Sequence, residues 1–282
     1  MTRLLLAFLL LVTTAQAREL KVATWNMEWL TLRPAGDPVL PENVVPKRAE
    51  DRAQLRRYAL ALDADVIALQ EVDGPEAAAE IFPPDRYALF FTHDRVVQRV
   101  AFAVRRGITV VQNPDLVGLD IQPTAPFPLR SGADITLEFP EARVRLLAVH
   151  LKSGCHEAPL SNAGRPCTAL RQQIAPLRGW IAQRRDEGMP FLLLGDFNRR
   201  MDKREQLSSE MNEAAPLVRA TEGRASPCWG GGSFIDHIFA GGAARGWLEP
   251  NSLRVQVFRG SESGKEHLSD HCPVSVRLQL PG

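Results

Sequence analysis

Runs in which apolar residues are continuous, or alternate with polar ones, recur along the chain: Leu20 to Trp25, Val66 to Gln70, Val100 to Val104, Val144 to Val149, Phe191 to Leu194, Phe234 to Phe239 and Val274 to Leu280. Each is short and bounded by charged or turn-forming residues, the signature of a strand. A different period lies between them. Arg52, Leu55, Ala59 and Leu62 recur at helical spacing within Arg48 to Leu62. Leu170, Ile174, Leu177 and Ile181 form a clearer stripe after Cys167, with Thr168 placed to cap its start, Gly188 its end, and Pro176 expected to kink it. Hairpin-like strand pairs mixed with helices predict an α/β fold of two packed sheets flanked by helices, not a regular doubly wound sheet. Thr31 to Lys47, Asn113 to Pro128 and Arg259 to His267 carry neither period and are predicted as surface loops.

The chain opens with Met1-Thr2-Arg3, an apolar stretch from Leu4 to Val12, and Ala15-Gln16-Ala17, the small-x-small pattern of a signal-peptidase site. Residues 1–17 are therefore expected to be a signal peptide and residues 18–282 a single secreted or periplasmic domain. The apolar run is shorter than the about 20 residues needed to cross hydrocarbon, and Arg, Asp or Pro interrupts every later one, so no membrane span is expected. The formal charge of +1 becomes zero when Arg3 leaves with the leader, at 33 basic and 33 acidic residues. Binding of nucleic acid mainly through counterion release calls for a basic protein, so any polyanion contact here has to be local.

Export places Cys155, Cys167, Cys228 and Cys272 in an oxidising compartment, where disulfides are expected. Sequence allows three connectivities. The simplest closes the polar segment between Cys155 and Cys167 and leaves Cys228 for Cys272. A zinc site lacks support, because no Cys-x-x-Cys or regularly spaced His accompanies them.

Acids, amides and imidazoles stand where the apolar strands stop. Asn26 and Glu28 follow the first, Glu71 ends the second, His150 ends Leu146 to Val149, and Asp196 and Asn198 follow Phe191 to Gly195. Asp236 and His237 lie within Phe234 to Phe239, and Asp270-His271 precede the last strand. Strands packed side by side bring such ends into one cleft, and oxygen ligands beside imidazole suit Mg²⁺, with Mn²⁺ or Ca²⁺ as alternatives, together with a phosphate.

The motifs resemble those of the endonuclease/exonuclease/phosphatase superfamily, which includes deoxyribonuclease I, abasic-site endonucleases, sphingomyelinases and inositol-phosphate phosphatases. Thr24-Trp25-Asn26-Met27-Glu28-Trp29-Leu30, Leu69-Gln70-Glu71-Val72, Val149-His150-Leu151-Lys152-Ser153, Gly195-Asp196-Phe197-Asn198, Ile235-Asp236-His237-Ile238 and Ser269-Asp270-His271 stand in the family's order, from the first mature strand to the last. Each is weak alone; six in order are specific. The resemblance implies a four-layer α/β sandwich of two mixed sheets with the cleft at one edge. It implies Glu71 as principal metal ligand, Asn26 beside it, Asp270 in the metal cluster and Glu28 as a second-metal candidate. Asp196 would orient or deprotonate the attacking water, while Asn198 holds phosphate or fixes the Asp196 carboxylate. His271 would pair with Asp236 and meet the scissile phosphate, and His150 would be a second phosphate contact. In the deoxyribonuclease I branch a glutamate supports the position of His150, and residues 95–106 offer no convincing match. His237 is expected to be structural.

Gly230-Gly231-Gly232 lacks a following Lys-Ser or Lys-Thr and is read as a turn, not a phosphate cradle. Gly260-Ser261-Glu262-Ser263-Gly264 has Glu where a nucleophile elbow needs Ser. Arg95, Arg99, Arg105, Arg106, Arg199, Arg200 and Lys203 form either a local basic rim or solvated surface charge. The expected function is a metal-dependent phosphodiesterase, a nuclease first, with no obligate protein partner. A phospholipid or phosphorylated-polyol phosphoesterase of the same fold is the nearest rival, and a catalytically silent binding module the rival from another class.

Overall fold

The structure is a computed structural model that describes residues 17–201, 205–259 and 268–282. The expected leader up to residue 16, Lys203 of the basic rim, the Gly260 to Gly264 stretch and most of the third loop lie outside the described residues. The elements run in the order β1 (Glu19–Leu30), α1 (Ala49–Leu62), β2 (Val66–Val72), α2 (Pro75–Ile81), β3 (Tyr87–Phe91), β4 (Arg99–Arg105), β5 (Thr109–Gln112), β6 (Ala133–Glu138) and β7 (Arg143–His150). They continue with α3 (Arg165–Asp186), β8 (Phe191–Asp196), α4 (Gln206–Ala214), β9 (Leu217–Arg219), β10 (Ala225–Ser226), β11 (Gly232–Ser233), β12 (Asp236–Gly241), β13 (Arg254–Val255) and β14 (Val274–Gln279).

Two six-stranded sheets result, β13-β14-β1-β2-β4-β3 and β5-β6-β7-β8-β12-β9. Each has one parallel pair at its centre, β1 with β2 and β7 with β8, flanked by antiparallel strands. This arrangement places the site. The parallel strands end together at one edge of each sheet, and the antiparallel neighbours β14 and β12 begin at that edge, with Thr24 opposite Val274 and Asp196 opposite Asp236.

Alternation along the strands decides which residues meet. Leu20, Val22, Val66 and Ala68 of one sheet pack against Leu146, Ala148, Leu192, Leu194 and Ile238 of the other. The intervening Ala23, Trp25, Ile67 and Leu69 lie under Leu55 and Ala59 of α1 and Ala78 of α2. Leu147, Val149, Leu193 and Phe239 lie under α3 and α4. Helices thus cover both outer faces, giving four layers, and both faces of the central strands are buried, which is why they read as near-continuous apolar runs. Because side chains alternate with a period of two, Asn26, His150, Asp196 and Asp236 fall in phase with the residues facing the other sheet. His237 falls in phase with the residues beneath the helices.

Local details differ from the sequence pattern in two places. On α1 the charged residue that joins the buried stripe is Asp51, not Arg52. Its carboxylate accepts the Arg48 backbone N–H and the Arg48 guanidinium, both at 3.0 Å, closing the first turn. On α3, Gly164 is the N-cap and Pro166 follows in the first turn, so Thr168 lies inside the helix instead of capping it. The helix continues through Pro176, and Gly188, at φ +63°, follows its end with its N–H donating to Arg185 O at 3.0 Å. The cysteines pair as Cys155–Cys167 and Cys228–Cys272. No helix among the described residues is long and apolar enough to cross a membrane.

Gly195 of β8 pairs with Val149 of β7. Its φ is +144°, and a Cβ there would collide with the carbonyl oxygen of Val149. Gly195→Ala is expected to destabilise the fold by about 3 kcal/mol or more, combining backbone strain with forced separation of the parallel pair. Chemical denaturation measures this, and a loss under about 1 kcal/mol would show that the strands tolerate the separation.

Candidate active site

The two sheets meet at the open edge through polar groups. Asn26 Nδ2 donates to Asp196 Oδ2 across the seam and to Glu71 Oε1 within its own sheet, both at 3.0 Å. Its Oδ1 accepts the Glu28 N–H at 2.9 Å. Register shifts after Asn26 and Leu69 break the alternation, and Glu28, Trp29 and Glu71 take φ values of +44°, +54° and +60°. Such conformations are costly for non-glycine residues and concentrate where a side chain must be re-aimed. Here they accompany Glu71 and Trp29, which line the cleft, and Glu28 beside them.

Glu71 lines a cleft of about 510 Å³ together with Trp29, Gln98, Arg130, His150, Ser153, His156, Asp196, Asn198, Arg200, Ile235, Asp270 and His271. Its Oε2 accepts from Gln98 Nε2 at 2.6 Å and from the Trp29 N–H at 3.2 Å. Asp196 is 1% exposed. Asn198, at φ +51°, turns back on it, donating its N–H to Oδ1 at 2.7 Å and its Nδ2 to Oδ2 at 3.1 Å. Asn198 therefore fixes the Asp196 carboxylate. Burial pushes that carboxyl up to about 7, against the nearby His271 cation and the hydrogen bonds from Asn198 and Asn26, with the Asp236 charge adding to the rise.

His271 Nδ1 lies 2.8 Å from Asp236 Oδ2, and Nε2 lies 3.8 Å from Asp196 Oδ2 and 3.7 Å from Asp270 Oδ1. Burial opposes its charged form, but the carboxylates of Asp236, Asp196 and Asp270 outweigh burial and hold it well above the usual histidine range. His150 behaves oppositely. Burial, then the cations Arg130, His271 and Lys152, hold it well below that range, so it stands neutral, with Nε2 at 3.5 Å from Glu71 Oε1 and 3.6 Å from Asp196 Oδ2. Its Nδ1 has no hydrogen-bond partner among the described residues, in line with the lack of a supporting acid in residues 95–106. His237 has both ring nitrogens engaged, by Thr221 Oγ1 at 2.6 Å and Arg199 O at 2.9 Å, and burial lowers it to about 3. It is a buried structural residue.

Of the ten strand-end residues, all but His237 thus gather at one edge: Asn26, Glu28, Glu71 and Asp270 toward one side, and His150, Asp196, Asn198, Asp236 and His271 toward the other. Asp270 stands at the rim, its side chain 44% exposed. Glu28 accepts the Asp270 N–H at 3.0 Å and, through burial, is raised to about 7 despite Lys47 nearby. Among the described residues, Asp196, Asp236 and His271 are the three whose ligand atoms lie within 4.8 Å of one another. An imidazolium has no lone pair to give a metal, so this trio suits proton handling. The acidic wall of Glu71 and Asp270, with the Asn26 and Gln98 amides beside it, offers the oxygen donors that fit Mg²⁺ or a similar hard cation.

Beside His156 and Arg200 of the cleft lining, three further side chains of the site lie outside the strand-end motifs. Gln98 comes from the segment before β4. Lys47 ends the first proline-rich loop. Arg130 ends the second, is 9% exposed, and its Nε has no hydrogen-bond partner among the described residues. Most of the expected basic rim is engaged elsewhere. Arg99 bonds to Asp73 O and lies over the Phe91 ring. Arg105 pairs with Asp63 and Asp65, and buried Arg199 with Glu205. Arg200, which lines the cleft, pairs with Glu157.

Two packed six-stranded sheets with this acidic, imidazole-bearing edge define a phosphoesterase-type α/β sandwich. The chain belongs to the Endonuclease/Exonuclease/phosphatase family, whose model matches residues 23–271. Among solved structures it is similar to truncated TDP2 from Caenorhabditis elegans, at 14% identity and a TM-score of 0.60, covering 93% of this chain and 98% of that one. It is similar to a variant of the 3′ phosphatase NExo from Neisseria bound to product DNA hairpin, at 17% identity and 0.61, covering 92% and 99%. It is also similar to the human Nocturnin catalytic domain with bound sulfate, at 16% and 0.58, covering 93% and 95%. No curated protein sequence matches the chain.

The Asp236–His271 pair sets a pH dependence. Removing the carboxylate lowers the imidazole pKa, so the protonated form is lost at lower pH and the alkaline limb of a pH–rate profile moves down. Asp236→Asn is expected to slow turnover by roughly a hundredfold or more. His271→Ala is expected to cost about as much, and the double variant scarcely more. Multiplying losses, or an unmoved alkaline limb, would break the pair.

Proposed function

We propose that the chain is a secreted or periplasmic, divalent-metal-dependent phosphodiesterase whose substrate is nucleic acid, with residues 18–282 forming one catalytic domain behind a leader of residues 1–17. The observation that carries this reading is the gathering of two cations, the buried Arg130 guanidinium and the partly buried His271 imidazolium, with a buried carboxylate, Asp196, in one cleft. A neutral substrate would gain nothing from those cations, whereas a phosphodiester presents non-bridging oxygens to them. A hard cation held by Glu71 and Asp270, with Asn26 alongside, would act as a Lewis acid toward a phosphoryl oxygen and stabilise the charge that grows there.

The chain's own groups supply the rest. Asp196, fixed by Asn26 and Asn198, orients the attacking water and accepts its proton; a carboxyl raised to about 7 is a stronger base than an exposed one. His271, held protonated by Asp236, faces the phosphate. His150, neutral and wedged between Glu71 and Asp196, contacts it as a neutral donor. Trp29 at the cleft wall gives a base or sugar an aromatic surface, and stacking of this kind is worth about 1–3 kcal/mol per base. The disulfides support the exported location. The similar structures agree with the substrate class: that of NExo holds a product DNA hairpin, and that of Danio rerio TDP2 a single-strand DNA product.

The purified mature chain is tested on plasmid DNA, RNA, sphingomyelin and a chromogenic phosphodiester, with Mg²⁺ and with excess chelator. Cleavage of DNA or RNA that stops with chelator and returns with metal is expected. Glu71→Gln should raise the metal requirement or abolish turnover while the fold is kept, and Arg130→Ala should lower kcat/KM by roughly tenfold to a hundredfold. Turnover of sphingomyelin alone would move the substrate to lipids, and no turnover of any substrate would leave a binding module.

A further inference from the structure

Lys47 is a cation buried against the cleft that neither water activation nor phosphate contact employs. Its side chain is 3% exposed, and its ammonium donates to the Glu28 carbonyl oxygen at 2.7 Å and lies 3.6 Å from Glu28 Oε2. The lysine ends the loop between β1 and α1, and Arg52 at the start of α1 bonds to its carbonyl oxygen. The same Glu28 Oε2 accepts the Asp270 N–H at 3.0 Å. One carboxylate oxygen of the metal wall is thus already shared between an ammonium and an amide. The ammonium also grips the carbonyl of the left-handed residue that turns Glu28 and Trp29 out of strand geometry.

We propose that Lys47 is the resident second cation of the site: its ammonium takes the position beside Glu28 that a second divalent ion would occupy, so that the chain binds a single divalent ion, on the Glu71 side. This rests on the metal-dependent reading above. A buried ammonium needs an anionic partner, and among the described residues Glu28 is the carboxylate within 4 Å, with the charges of Asp270 and Glu71 acting from farther off. A Mg²⁺ or Mn²⁺ ion bound to Oε2 at about 2.1 Å would stand no farther than about 6 Å from Nζ, two like charges sharing one carboxylate, one of them on a side chain only 3% exposed. Glu28 therefore answers the lysine, and Glu71, whose partners are amides and a backbone N–H, remains free to answer the metal.

The test is the stoichiometry of Mn²⁺ binding to the chelator-stripped mature protein, read by electron paramagnetic resonance of unbound Mn²⁺ and by calorimetry, without substrate. The wild type is expected to bind one ion, which Glu71→Gln loses and Glu28→Gln keeps. Lys47→Met, which retains the stem and removes the charge, is expected to bind two, the second lost again in Lys47→Met/Glu28→Gln. Lys47→Arg should bind one. Two ions on the wild type, or loss of the single ion in Glu28→Gln, would overturn the proposal whatever Lys47→Met does to folding. One ion on a Lys47→Met protein with a native melting profile would do the same. No ion on the wild type would instead overturn the metal-dependent function itself.

Discussion

The Asn26 to Asp196 hydrogen bond, a single amide bridging two sheets at 3.0 Å, is the contact through which the rest of the site is organised. The sheets are held together by an apolar seam along most of their length, and that seam ends where Asn26, His150, Asp196 and Asp236 replace aliphatic residues in the same strand phase. Polar groups at this depth are costly unless partnered. Asn26 partners both sheets, giving hydrogens to Glu71 and Asp196 and taking one from the Glu28 backbone. Its amide therefore fixes the separation between the Glu71 and Asp196 carboxylates.

That separation divides the electrostatics. On one side stand the Glu71 and Asp270 carboxylates, with the Lys47 ammonium 3.6 Å from Glu28 Oε2. On the other, Asp196 is kept from ionising easily by burial, while Asp236 and Asp196 keep His271 charged. In the mechanism we propose, a base of raised pKa beside a charged imidazole would let proton acceptance and phosphate contact proceed at the same pH. Arg130 adds a second cation, whose pKa burial lowers, and His150 is held well below the usual histidine range by burial and by the cations Arg130, His271 and Lys152.

Much of this is legible in the sequence for a simple reason. A buried strand reads as an apolar run, and polarity at its end has few explanations besides a site. The period of two also separates Asp236, facing the other sheet, from His237, facing the helices with both nitrogens satisfied. The residues that escape such a reading come from irregular backbone. Lys47 and Arg130 each end a proline-rich loop with no period to show which way a side chain turns, and Gln98 precedes β4. Glu28 and Glu71 are visible as residues, but the left-handed backbone that re-aims them depends on pairing across the sheet. The short strands β3, β5 and β9 and the helices α2 and α4 escape for a related reason: each is too brief for a period to stand out, and tertiary packing defines it. Thr168 does not cap α3 because Gly164 and Pro166, with their own claims on a helix start, lie just upstream.

The most direct test of this division of labour is anomalous diffraction from crystals of the chain soaked in Mn²⁺ and inorganic phosphate. The account predicts an ion coordinated by the Glu71 carboxylate, with phosphate oxygens against Arg130 and His271, and no ion between Asp196, Asp236 and His271. An ion seated among those last three would make them the metal ligands, and would contradict both the protonated His271 and the role of Asp196 as base.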